Sequence, residues 1–135
     1  MKKAKKNLGF TLIELLIVMV ILGLLASIVA PRMFSKVASA KDQVAGAQLQ
    51  VLATALDSYR LDLGDYPEKL QDLRQSDEEY WDGPYFAKKI PLDPWNNEYF
   101  YAPEPNPNTG ESFTLKSLGK DGKEGGEGED ADVEF

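Results

Sequence analysis

Residues Phe10 to Ala30 form a run of 21 in which Glu14 is the only charged side chain. Coiled at ~1.5 Å per residue, such a run is ~31 Å long and matches a hydrocarbon core of ~30 Å. A secretory signal has a shorter apolar core with a small-x-small cleavage site behind it. Ala26-Ser27-Ile28 and Ala30-Pro31 are weak look-alikes that follow too long a run, so the segment reads as a retained single-pass anchor. Gly23 and Pro31 mark where that helix is free to bend or melt. Lys2, Lys3, Lys5 and Lys6 precede it. Positive charge stays on the cytoplasmic side, so the body of the chain is expected on the far side. A charge near the middle of a spanning helix costs ~2.5–3.5 kcal/mol and less near an end. Glu14 therefore either snorkels to the interface or meets a partner there, and the residues alone leave both readings open.

Charge and composition narrow the function. The net charge of −7 hides a division: beyond the lysine-rich leader, 11 basic residues face 22 acidic ones, a balance of −11. Nucleic acid needs a basic footprint, which this body lacks. Histidine and cysteine are both absent. That removes the usual general base, the thiol nucleophile and the commonest transition-metal ligands, so an enzyme is not expected. It also removes disulfides. The part outside the membrane is small for an independent core, and a metal or a neighbouring subunit is expected to add stability.

After Pro31 the pattern turns amphipathic. Val37, Val44, Gln48, Val51, Leu52, Ala55, Leu56 and Tyr59 recur near helical spacing, and Gly64 followed by Pro67 supplies a stop. This predicts one helix of some 50 residues, half in lipid and half covering a small domain. Pro67 to Gln75 reads as a short helix with Leu70 and Leu73 inward. Glu98–Tyr101 and Ser112–Ser117 read as strands joined through Pro103, Pro105, Pro107 and Asn108-Thr109-Gly110. Ile90-Pro91-Leu92-Asp93-Pro94-Trp95 reads as a structured loop. The many aromatics, from Tyr59 to Tyr101, are assigned to the core rather than to a ligand groove.

The tail from Leu118 to Asp132 mixes glycines with Asp121, Glu124, Glu127, Glu129, Asp130 and Asp132. Hard cations such as calcium take six to eight oxygens from carboxylates and carbonyls. Glycines let several carbonyls face one point. The spacing is not that of an EF-hand, and composition alone favours a disordered acidic tail.

The leader ending in Gly9, followed by Phe10-Thr11-Leu12-Ile13-Glu14 and an apolar helix, resembles the type IV prepilin family. That resemblance implies cleavage between Gly9 and Phe10 by a prepilin peptidase and N-methylation of Phe10. It also implies that Glu14 meets the terminal amine of a neighbouring subunit during assembly. Within the family, Ser117-Leu118-Gly119-Lys120-Asp121-Gly122, the Gly/acid stretch, Ala131-Asp132-Val133, and the Gly83–Tyr101 region with Asp93-Pro94-Trp95 are similar to the major pseudopilins of type II secretion. Their terminal loop binds calcium. The resemblance implies side-chain ligands Asp121, Asp130 and Asp132, with the carbonyls of Leu118 and Lys123, and Glu129 as an alternative. Asn96-Asn97 departs from a Gly-Asn turn. The sequence also stops at Phe135 where relatives continue to a tryptophan, which bears on the pairing of the last strand.

The implied fold is α+β and pilin-like: a long N-terminal helix packed on a small antiparallel sheet, with a C-terminal calcium-binding loop. The implied segments are a cleaved leader (1–9), a polymerisation helix (10–31), an amphipathic half (32–63) and a periplasmic region (64–135) with the loop at 118–132. The implied function is a structural subunit of an inner-membrane-derived periplasmic filament that drives export of folded proteins. Its implied partners are its own copies, minor pseudopilins, the peptidase and an inner-membrane assembly platform. A type IV pilus pilin, or a membrane-anchored calcium-dependent binding module, are the alternatives.

Overall fold

The computed structural model describes every residue except Met1, Lys5 and Asn7, so one lysine of the basic leader, Lys5, lies outside the described residues. The chain divides into two compact units, Met1–Val37 and Ala38–Phe135. A single helix, α1 (Leu12–Leu63, 52 residues), contributes to both. Gly64 ends it in the left-handed region at φ 92°, with its N–H donating to the Arg60 carbonyl at 2.8 Å. Glycine takes that conformation without a Cβ penalty. Pro31 lies inside the helix, which continues through it.

In the first unit the apolar side chains have no cover. Leu12 is 79% exposed, and Leu16, Val20 and Leu24 are exposed too. This helix is the one candidate membrane span among the described residues.

In the second unit α1 presents Ala45, Leu49, Leu52, Ala53, Leu56 and Tyr59 to the core. This shifts the expected stripe. Val44 and Val51 are about half exposed, because at ~100° per residue they stand roughly 110–130° round the helix from that face. Three leucines bury more apolar surface than the valines would. The sheet has three antiparallel strands in the order β1 (Phe100–Ala102), β2 (Thr114–Ser117), β3 (Val133–Glu134). Phe100 pairs with Lys116, and Ser117 pairs with Val133. The expected short helix is a single 3-10 turn, Leu70–Leu73, with both leucines buried.

The aromatics build the core, as assigned. Phe113 is met edge-on by Tyr66 at 4.9 Å and stacked by Phe135 at 5.8 Å. Tyr59 and Tyr99 are buried, and Trp81, Tyr85, Phe86 and Tyr101 pack against the same cluster. Burial raises the Tyr101 phenol, which donates to the Pro67 carbonyl at 2.6 Å. Tyr80 and Phe100 are exceptions, 77% and 37% exposed, and Trp95 is half-buried outside the cluster. The last strand is paired, and beyond it the Phe135 N–H donates to the Leu115 carbonyl at 3.1 Å.

Leu56 is fully buried at the centre of this contact. Leu56→Ala should destabilise the second unit by ~2–5 kcal/mol. Denaturant melts of the detergent-solubilised chain, followed by tryptophan fluorescence, read this as a lower midpoint at unchanged slope.

Candidate functional site

Two places collect the residues singled out in the sequence. The first is the start of α1. Gly9 and Phe10 lie outside the helix, Phe10 is 88% exposed, and no atom approaches Gly9 closely. The peptide bond between them is open to solvent. The Thr11 N–H donates to Glu14 Oε2 at 3.2 Å, and the Glu14 N–H donates to Thr11 Oγ1 at 3.2 Å. This is a capping box, in which both side chains satisfy amides that a helix start leaves without partners. The Thr-x-x-Glu spacing before an apolar run was its signal in the sequence, and the sequence reading passed over it. Glu14 therefore serves its own helix in the single chain, with Oε1 still open to a second donor.

The second place is the C-terminal loop. It is folded back at a neck: the Lys120 N–H donates to the Glu129 carbonyl at 2.9 Å. A Cβ on Gly119 (φ 71°) would sit 2.7 Å from the Ala131 carbonyl oxygen, and one on Gly126 (φ 94°) 2.6 Å from that of Asp130. Only glycine fits at either point. Of the expected ligands, Asp121 closes its own turn by accepting the Lys123 N–H at 3.1 Å. Asp132 Oδ2 accepts from Lys116 Nζ at 3.0 Å, while Asp132 Oδ1 is buried with no hydrogen-bond partner. Asp130 belongs to the neck. Glu129 is turned to an exposed pair with Lys120 at 3.3 Å. Among the described residues no three acidic side chains converge as a metal-binding group. The structure thus folds the expected residues into one loop without gathering three of their carboxylates at one point. The donor set fits a hard cation in kind, being all oxygen with one buried carboxylate oxygen unpaired.

A buried clasp fixes the neck to the rest of the unit. Asp93, 3% exposed, accepts from the Trp95 N–H at 3.0 Å, the Asn97 N–H at 2.8 Å and Ser117 Oγ at 2.6 Å. Ser117 Oγ accepts the Gly119 N–H at 3.2 Å, and Asn97 Nδ2 donates to the Gly119 carbonyl at 2.8 Å. Asn96 reaches φ 65°, a conformation asparagine tolerates better than most residues, and so does the work of the glycine expected there. The sequence marked this loop as structured, but nothing in it announced that Asp93 and Asn97 would reach residues 117–119.

Comparison with known proteins follows the same two places. A family described as "Type II secretion system (T2SS), protein G" matches residues 32–135, and the prokaryotic N-terminal methylation motif matches residues 4–30. The chain is 42% identical to type II secretion system core protein G of Pseudomonas aeruginosa, over 96% of this chain and 94% of that one. It is 41% identical to the Vibrio cholerae protein of the same name, over 98% and 94%. The crystal structure of the major pseudopilin from the type 2 secretion system of enterohaemorrhagic Escherichia coli superposes with a TM-score of 0.57 at 27% identity. That match covers 71% of this chain and 82% of that one.

Replacing Asp93 strands three donors in a buried place. Asp93→Ala should cost ~3 kcal/mol or more. Hydrogen exchange of the 117–120 amides should rise with it, whereas local repair by water would leave them protected.

Proposed function

The chain belongs to the type II secretion system protein G family, and from that premise we propose how this pseudopilus subunit is made, assembled and stabilised. As a member it is a structural protein of a multi-subunit secretion machine and not an enzyme. Its single N-terminal apolar helix fits a single-pass anchor.

The observation that carries the proposal is the uncovered apolar half of α1, with Glu14 in its first turn. Such a surface is stable in lipid or against other copies of itself. The subunit waits in the bacterial inner membrane with its C-terminal unit in the periplasm. A prepilin peptidase removes residues 1–9 and the Phe10 amine is methylated. An inner-membrane assembly platform then draws the helix out, and copies polymerise with minor pseudopilins into the periplasmic filament that exports folded proteins. Glu14 steers this step, because an ammonium and a carboxylate both gain from pairing in a medium of low dielectric.

Calcium supports the C-terminal loop. Asp121, Asp130 and Asp132, with the Leu118 and Lys123 carbonyls, would hold it, and bound there it would supply positive charge to a loop rich in acids. The glycines at 119 and 126 and the Asp93 clasp hold the neck in place for it.

Two measurements test this. Glutamine preserves a capping box but carries no charge. Glu14→Gln should therefore insert in the membrane and be trimmed, with mass analysis showing an N-methylated Phe10 terminus, yet yield few sedimentable filaments. Normal filament yield would remove the pairing role. Calcium should raise the melting temperature of the detergent-solubilised chain by several degrees over chelator, as expected for a ligand that binds only the folded state. Asp121→Ala should abolish the difference. Equal melting in calcium and chelator for the unaltered chain would end the calcium reading.

A further inference from the structure

Lys116 is an odd residue for its place. It lies in β2, the central strand, paired with Phe100 on one side and Glu134 on the other. Its neighbours Leu115 and Ser117 are fully buried, and Lys116 itself is only 8% exposed. Side chains alternate along a strand, so Lys116 points to the face opposite Leu115. On that face its ammonium lies 3.0 Å from Asp132 Oδ2 and 3.5 Å from Glu124 Oε1, and 5.5 Å from the centre of the Phe100 ring. An apolar side chain of the same length would suit a covered strand position without the cost of desolvating a charge. The charge answers to the loop, not to the strand. Residues 118–132 carry six acidic side chains against two basic ones, and of those two Lys120 is spent on Glu129 at the exposed neck.

We propose that Lys116 is the resident cation of the C-terminal loop. Its ammonium holds Asp132 from the inner side and Glu124 from the solvent side, so that residues 120–134 keep their fold when no metal is present. The two contacts differ in weight. The Asp132 side chain is 14% exposed and its pair with Lys116 is shielded from solvent, whereas Glu124 is 69% exposed and its share is small. Lys116 acts by position alone: it pins one side of the loop from the sheet while the Asp93 clasp pins the neck. The inference deepens the calcium reading, since it names what keeps a calcium loop from self-repulsion before calcium arrives. Its test is nevertheless run wholly in chelator, so its failure and that of the calcium reading are separate results.

The test is hydrogen exchange of the full chain in detergent and chelator, comparing wild type with Lys116→Met and Lys116→Arg. Met keeps the length and loses the charge; Arg keeps the charge. In Lys116→Met the amides of 120–134 should exchange at least about tenfold faster, while those of 49–59 in the helix core stay protected. In Lys116→Arg the loop should stay protected. Unchanged loop protection in the Met variant, or equal loss in Met and Arg, would overturn the proposal. Should the Met variant also lose core protection, Asp132→Asn takes its place. Loop loss with an intact core then supports the pair, and an unmoved loop overturns it.

Discussion

Three short strands cannot make a core by themselves. β1, β2 and β3 together contribute nine residues, and so small a sheet is stable only when packed against another element. α1 is that element, and the contact of Leu49, Leu52 and Leu56 with Phe113, Leu115 and Tyr99 is the one on which the second unit depends. Aromatic side chains thicken it from the loops: Tyr66, Tyr101 and Phe135 close round Phe113. The long stretch between the 3-10 turn and β1 is ordered because it sends Trp81, Tyr85, Phe86, Ile90 and Tyr99 to this one place. A chain without cysteine thereby replaces covalent staples with aromatic area.

From that contact the C-terminal loop inherits its position. β2 holds Leu115 in the core and leads directly into Ser117, Leu118 and Gly119. The Asp93 clasp then grips Ser117 and Gly119 from one side, and β3 returns the far end of the loop to β2. The loop is thus a closed excursion from the sheet, anchored at both ends. Closing a loop of this length costs chain entropy once, and the two anchors meet that cost whatever its middle does. A glycine-rich middle is tolerable for that reason, and Lys116 faces two of its acids, Glu124 and Asp132. Two of its glycines, Gly119 and Gly126, stand where the neck brings backbone too close for any Cβ.

Much of this was legible in the sequence, and what was missed has physical causes. The length and end of α1 followed from local signals, an apolar run and then Gly64. The inward-facing leucines of the 3-10 turn and the two longer strands followed from spacing. The face of the helix did not: Val44 and Val51 fit a helical period as well as Leu49 and Leu56 do, and only the position of the sheet decides between them. β3 (Val133–Glu134) had no pattern of its own, because two residues carry no periodicity, and only the resemblance implied a last strand. The Asp93 clasp joins residues 24 apart through one buried carboxylate, and no local pattern encodes a contact of that range. Resemblance named the loop's acids but not Lys116, whose meaning lies in what it faces.

Glu14 shows how one residue can satisfy two demands without conflict. In the single chain its Oε2 caps Thr11, and this local bond fixes where the helix starts. A carboxylate has acceptor capacity for several donors, so the capping bond does not use it up. Under the assembly proposed above, a second donor, the ammonium of another copy, meets a carboxylate already held in one orientation by its own helix. The helix N-terminus adds its partial positive charge on the near side. Removing the leader would leave the Thr11 amide in place and the cap with it. The docking group is therefore formed before its partner arrives, and assembly does not have to order it.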